Sequence, residues 1–491
     1  MTDKHYIACD LGAESGRVIL GSLADGKLVL DEAHRFPSET LRVQGSCRWN
    51  LPKIFEELKI GLQGIAARGI PISSLSVDSW GVDYAWLNEL QPLLDLPFQY
   101  RDPRTAETYA SAIDQLGRAK IFDETGIQFM SINTLYHLMA DVKDNREVLQ
   151  TADRFLTIAD YLNYRFSGVA KVEVSNASTT QMYNPRERAW SKKLIDAFNL
   201  PANLFPAIVP SGTVLGPLTE DLSEETGLRN VDVIATCSHD TGAAVAAIPA
   251  LEGDDWAYLS SGTWSLIGVE LPQPLINDDV RMSNFTNEAG YGGTTRFLKN
   301  IVGLWLLQES RRVWSSNGIK LEYDEINRLA ESAEPFRSLI DPSDDRFLNP
   351  TDMPATIATF CRDSNQPEPE TPGQFARCIL ESLALLYGET LNTIEQLTSR
   401  SIKRLHIVGG GSQSRLLNQF AANATGRTVL AGPVEATAIG NVLIQSIANG
   451  DIASLAELRQ IVRDSFSVES YQAEQSSAWL TARSRLLELR A

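Results

Sequence analysis

Short apolar runs, each ending in a polar turn that often carries Gly, punctuate the chain and predict strands. They cover Tyr6–Asp10, Ser74–Asp78, Val231–Cys237, Trp256–Leu259 and Arg404–Val408. Two of them pass through a turn into a second apolar run. Tyr6–Asp10 continues through residues 11–16 into Arg17–Gly21, and Trp256–Leu259 continues through residues 260–263 into Trp264–Val269. These hairpins, YIACDLGAESGRVILG and WAYLSSGTWSLIGVE, are weak copies of one another, one opening each half of the chain. They predict a duplicated α/β fold with domains over 1–250 and 251–491 and a junction near Ala250–Asp255. Helical spacing of Phe375, Ile379, Leu383, Leu386, Tyr387, Leu391 and Ile394 predicts a long helix over Gln374–Thr398. Phe297–Gln308 reads as a mostly buried helix with Asn300 and Gln308 as polar exceptions. Ser364–Pro372 reads as an exposed loop, and the tail after Leu455 as polar helix.

Composition narrows the class. The 491 residues are 43% hydrophobic and 22% charged, with 33 Gly and 22 Pro, as in ordinary globular proteins. Disorder, collagen and coiled coil are excluded. The net charge of −18, without a Lys/Arg block, argues against a phosphate-gripping nucleic-acid binder. Five scattered Cys and five scattered His make no metal-ligand spacing, and their use suits a reducing cytosol. The sequence MTDKHYIACDLG shows no signal-peptide core, and no run of about 18 apolar residues predicts a membrane span. A cytoplasmic protein with two domains is expected.

Several polar clusters fall at strand ends, where α/β sites gather. The loop Asp10–Arg17 joins a carboxylate to glycines, Ser15 and Arg17. Its backbone N–H groups suit phosphate oxygens, and Asp10 suits Mg²⁺ held through water. The same residues also fit a plain tight hairpin. Ser260–Ser265 repeats the arrangement, while neither a P-loop nor a dinucleotide fingerprint is present. Gly409, Gly410, Gly411 and Ser412 lie between a strand and a helical pattern, fitting either a ligand approach or a packing turn. In Ser238-His239-Asp240-Thr241, Asp240 suits a proton acceptor for an attacking hydroxyl, or an N-cap for the next helix. Asp78 and Asp83 flank Trp80 and Gly81, a mixture that suits a polyol or merely a core indole beside a turn.

Taken together, residues 10–17, 260–265 and 407–414 resemble the two phosphate loops and the adenosine motif of the FGGY carbohydrate kinases, members of the actin-like ATPase superfamily. SVDSWGVDYAWL, YRDPRT, TGIQFMSINTLYHL, SNASTTQ, CSHDTGAAV, LKNIVGLWLLQ, DPSDDRFLNP and AGPVEATAIGN keep the order and spacing of the members that phosphorylate L-rhamnulose. The resemblance runs from about Tyr6 to Asn441. It implies two actin-like (ribonuclease H-like) α/β domains with a catalytic cleft between them. It further implies ATP- and Mg²⁺-dependent phosphorylation of the 1-hydroxyl of L-rhamnulose. Kinases for L-fuculose or a pentulose share several of these motifs and are the alternative. By position, Asp240 matches the catalytic base. Gly81, His239, Asp240, Thr241 and Asn300 match sugar-contacting residues. Ala13, Glu14, Ser15, Gly16, Arg17, Thr263, Gln308 and Gly410 match nucleotide contacts, and Asp10 is the metal candidate. Glu14, Ala159 and Asn423 depart from the residues usual at their positions. The implied partners are a small ketose and ATP, with no nucleic acid or membrane, in a monomer or homodimer.

Overall fold

A computed structural model describes residues 3–144, 146–251, 253, 255–474 and 477–490. The chain divides into two compact units. Unit 1 gathers Met1–Pro249, Glu270–Phe297 and Ala436–Ser465, and unit 2 gathers Ala250–Val269, Leu298–Glu435 and Phe466–Ala491.

In unit 1, β1 (Lys4–Leu11) and β2 (Ser15–Ala24) form the first hairpin, and β3 (Lys27–Pro37) extends it. β4 (Ser74–Ser79) runs parallel to β1 on its other side. β5 (Thr213–Pro217) and β6 (Asp232–Ala235) complete the order β5-β6-β4-β1-β2-β3. The strand expected over Val231–Cys237 is thus shorter at both ends. β1 is buried on both faces from Tyr6 to Leu11, which is why its sequence reads as an unbroken apolar run rather than an alternation. The helix Leu51–Ala66 starts where Asn50 accepts the Lys53 N–H and a proline takes a first-turn position. Its Ile54, Leu58, Leu62 and Ile65 enter the same core as Ile7, Cys9, Val18, Leu75 and Val77.

In unit 2, β7 (Trp256–Ser261) and β8 (Trp264–Leu271) form the second hairpin, with β9 (Arg404–Val408) parallel to β7. β10 (Thr428–Ala431) and β11 (Glu469–Tyr471) follow beyond β9. Each unit therefore carries an antiparallel hairpin whose first strand has a parallel neighbour, as duplication requires. The long helix spans Pro372–Thr398, opened by a Thr371/Gln374 capping box.

Two expectations are corrected. Phe297–Gln308 is not one helix: Thr295–Val302 is a strand, and the helix begins only at Trp305. Gly303 lies at the break, where only a glycine fits, since a Cβ there would lie 2.7 Å from Ser265 Oγ and 2.8 Å from the Gly262 carbonyl. The tail is not wholly helical, because β11 separates its helices Leu455–Ser465 and Ser477–Leu489. Among the described residues, no helix is long and apolar enough to cross a membrane.

Candidate active site

Asp240 opens the helix Asp240–Ala246, immediately after the loop that leaves β6. His239 holds the N-cap position, so Asp240 is the first helical residue instead. Its Oδ1 still accepts from the Thr241 N–H and, at 3.1 Å, from the Thr241 hydroxyl. The loop is fixed from below by Glu173, which is fully buried. Glu173 accepts from Ser238 N at 2.9 Å, from Ser211 Oγ at 2.5 Å and from Ser175 Oγ, which in turn accepts from His239 N at 3.0 Å. The small residues after Asp240 allow a close helix contact. A Cβ on Gly440 would sit 1.9 Å from the Ala243 carbonyl oxygen.

Three carboxylates of unit 1 influence one another. Asp10 and Asp78 are register partners on β1 and β4, and Arg17 across the hairpin donates to Asp10 Oδ2. Burial raises the Asp78 carboxyl well above the ordinary range, and the charges of Asp10 and Asp240 push it further. Asn441 Nδ2, at 2.6 Å from Asp78 Oδ2, opposes that rise. Desolvation also raises Asp240, with Asp10 adding to it, while His239 and Thr241 favour its ionised form. The Asp240 side chain nevertheless keeps 29% of its surface exposed.

The loop after β4 lies beside the His239 loop, tied by Ser79 N–H to the Ser238 carbonyl at 2.9 Å. Gly81 is obligatory in this setting, because a Cβ would stand 2.8 Å from Thr179 Oγ1. The next residue, Val82, has φ +69, a costly conformation for a β-branched side chain. Thr179 and Thr134 hold it there through its N–H and C=O. Asp83 turns to the indoles, accepting from Trp49 Nε1 at 2.6 Å, Trp80 Nε1 at 2.9 Å and Tyr100 N at 3.2 Å. Burial lifts its carboxyl to about 7 despite these donors.

The hairpin loop of unit 1 exposes Glu14, leaves Ala13, Ser15 and Arg17 half-buried, and buries Gly16. A Cβ on Gly16 would stand 2.4 Å from the Phe36 ring, so that glycine serves packing. In unit 2, Thr263 accepts from Gly303 N at 3.1 Å and Trp305 N at 3.2 Å. The helix carrying Gln308 therefore starts directly on the second hairpin loop. Gln308 Oε1 is buried with no hydrogen-bond partner among the described residues. The three glycines after β9 differ. Gly409 has φ +83, and a Cβ on Gly411 would strike Ser261 Oγ at 2.0 Å, whereas a Cβ on Gly410 would meet nothing within 4 Å. Gly410 is exposed, and Asn300 is half-buried on Thr295–Val302.

The structure thus gathers Asp10, Arg17, Gly81, His239, Asp240 and Thr241 within unit 1, and Thr263, Gln308, Gly410 and Asn300 within unit 2. Comparison with known families decides what this arrangement belongs to. The models of the FGGY family of carbohydrate kinases match residues 5–247 with their N-terminal domain and 257–449 with their C-terminal domain. The chain belongs to the FGGY family of carbohydrate kinases.

The carbohydrate kinase is 43% identical over 476 residues to a rhamnulokinase of Bacteroides thetaiotaomicron, covering 97% of each chain. It is 41% identical over 473 residues to a rhamnulokinase of Enterococcus faecalis, covering 96% of this chain and 94% of the other. Its fold matches that of a gluconate kinase from Lactobacillus acidophilus, with TM-score 0.81 at 16% identity, covering 100% of this chain and 98% of the other. It also matches a glycerol kinase from Plasmodium falciparum solved with ADP, with TM-score 0.78 at 16% identity over 99% of this chain and 98% of the other.

Four polar residues of the carbohydrate kinase escaped the sequence reading as site components. Glu173, Glu288, Arg296 and Asn441 are all buried, and each contacts the loop or the carboxylates just described. Two of them lie inside segments already conspicuous, Asn441 in AGPVEATAIGN and Glu173 just before SNASTTQ, but no spacing marks them as partners of Asp78 or Ser238.

Proposed function

We propose that this carbohydrate kinase transfers the γ-phosphoryl group of ATP to the 1-hydroxyl of L-rhamnulose, giving L-rhamnulose 1-phosphate and ADP, as a step of L-rhamnose catabolism. The observation that carries the reading is the 43% identity to a rhamnulokinase along 97% of the chain. Asp240 is assigned as the base. Its partly exposed carboxylate, raised by desolvation, accepts the hydroxyl proton as the O–P bond forms and the bond to ADP breaks. Gly81, His239, Thr241 and Asn300 are assigned to the sugar. Gly81 keeps the loop packed on Thr179 beside the His239 loop, and His239 and Thr241 flank the base.

Ala13, Glu14, Ser15, Gly16, Arg17, Thr263, Gln308 and Gly410 are assigned to ATP. The unpartnered Gln308 Oε1 is a buried acceptor that a nucleotide donor would satisfy. The open space at Gly410 shows a glycine that packing does not require, as close approach of a ligand would.

The donor set also fits Mg²⁺. Asp10 is a hard oxygen ligand at a strand end, with Asp78 beside it in register. Mg²⁺ is usually held by one or two carboxylates together with waters and substrate phosphates, and needs no larger protein cage. When bound, it supplies charge neutralisation on the phosphates. Arg17, already paired with Asp10, keeps that carboxylate oriented. The five cysteines form no disulfide, in keeping with a cytoplasmic protein, and action as a monomer or homodimer is proposed.

The test is ADP release with ATP and Mg²⁺ across L-rhamnulose, L-fuculose, D- and L-xylulose, L-ribulose, glycerol and a blank. Highest kcat/KM on L-rhamnulose is expected. Preference for another ketose would overturn the substrate, and equal release in the blank would overturn the transfer itself.

A further inference from the structure

Arg296 is among the largest fully buried side chains of the protein, and it is not spent on a simple ion pair. Its Nη2 lies 3.1 Å from His239 Nδ1 and 3.2 Å from Glu288 Oε2, while its Nε donates to the Ala289 carbonyl at 3.0 Å. Glu288 Oε2 is also 3.4 Å from His239 Nδ1. On the opposite edge of the ring, His239 Nε2 faces Asp240 Oδ1 at 3.4 Å. These four residues belong to one unit of the fold.

The chemistry of this row is directional. A guanidinium has five donors and no acceptor, so the 3.1 Å contact of Nη2 with Nδ1, shorter than the 3.4 Å from Nδ1 to Glu288 Oε2, is a hydrogen bond only with that nitrogen as the lone-pair side of the ring. The neutral imidazole then carries its proton on Nε2, toward Asp240. Buried ion pairs seldom stabilise a fold beyond what apolar residues of the same volume would, so stability alone does not account for Arg296 and Glu288. We infer that Arg296, anchored by Glu288 and the Ala289 carbonyl, is a positioning residue that fixes His239 as its Nε2–H tautomer. The ring thereby sets a hydrogen-bond donor beside the Asp240 acceptor, so that a sugar hydroxyl meets one of each. This rests on the assignment of His239 and Asp240 to the sugar, but the tautomer is measurable without turnover.

The experiment is NMR of the full-length protein labelled with ¹³C,¹⁵N-histidine, with the His239 signals assigned by their loss in His239→Asn. The imidazole carbon and nitrogen shifts distinguish the two tautomers. The wild type is expected as Nε2–H. Arg296→Met/Glu288→Met, which removes both charges together, is expected to give a mixture of tautomers. In the same variant kcat/KM for the sugar should fall about 100-fold, as misplacement of a reacting group does, with KM for ATP unchanged. Arg296→Lys keeps a donor, and should keep both the tautomer and most of the activity. An Nδ1–H tautomer in the wild type overturns the inference even if neither variant folds. An unchanged tautomer in the double variant overturns it as well. Wild-type protein that shows the Nε2–H tautomer but no activity on L-rhamnulose would instead fault the substrate, leaving the positioning role in place.

Discussion

Asn441 donates its side-chain amide to Asp78 at 2.6 Å across 363 residues of sequence. The same helix face continues the network. Gln445 Nε2 donates to Asn441 Oδ1 and to the Ile7 carbonyl, and its Oε1 accepts from Ser74 Oγ. Asp78 is therefore held at the sheet end by a helix that follows almost the entire chain. Asn441→Leu strips the carboxyl of this donor and should cost about 1–3 kcal/mol in urea unfolding. Pairing it with Asp78→Leu should recover part of the loss, because the buried carboxyl is then no longer left without its donor, although Gln445 still loses the Asn441 acceptor. Equal loss in the single and double variants would exclude the pairing.

Asp240→Asn keeps the size and the contact with Thr241 but removes the proton acceptor. Turnover should fall by roughly 10²–10⁴-fold, the usual worth of a positioned base. ATP affinity, read by calorimetry, should hold. Near-normal turnover would remove Asp240 from that role.

The glycines after β9 separate folding from ligand approach. Gly411→Ala drives a Cβ into Ser261, and should destabilise unit 2 by about 1–3 kcal/mol, seen as a lower thermal midpoint. Gly410→Ala meets open space and should leave the midpoint alone while raising KM for ATP. Equal midpoints for the two variants would contradict the steric account.

Asp160 gives a pH signature to stability. Burial raises its carboxyl from 3.8 to about 8, with the charge of Glu173 contributing and Thr157 opposing. The folded state thus holds a proton that the unfolded chain has released. The resulting stabilisation is complete below the unfolded value and is lost as pH climbs through about 8. Asp160→Asn never ionises, so its stability relative to wild type should improve from pH 4 to about pH 8 and level off above it. Parallel curves for the two proteins would show that Asp160 is ionised in the fold.

Much of this architecture was legible because its signals are local. The hairpins announce themselves through Gly12, Gly16 and Gly262 between apolar runs, and Asp240 stands at the end of a buried strand. Phe297–Gln308 misled for a physical reason. Phe297, Leu298, Ile301 and Val302 are all buried, so the strand shows no alternation and the spacing mimics a helix. Only Gly303 marks the change. Asp83 was equally ambiguous, since its indole partner Trp49 lies far upstream in another element. Glu173, Glu288, Arg296 and Asn441 are single polar residues inside otherwise apolar or small-residue stretches. Their meaning resides in partners that the sequence does not place nearby.

Unit 1 also has an unusual relation to time. Its first 249 residues leave the ribosome well before Ala436–Ser465, which supplies Asn441 and Gln445 to the same core. The unit begun first is thus among the last to be finished. Until the closing segment emerges, the nascent chain carries Asp78 without the amide that caps it and an unfilled face along β1. A premature stop anywhere before residue 436 consequently leaves unit 1 without its closing segment. The interval before closure is when this chain most needs chaperone shelter.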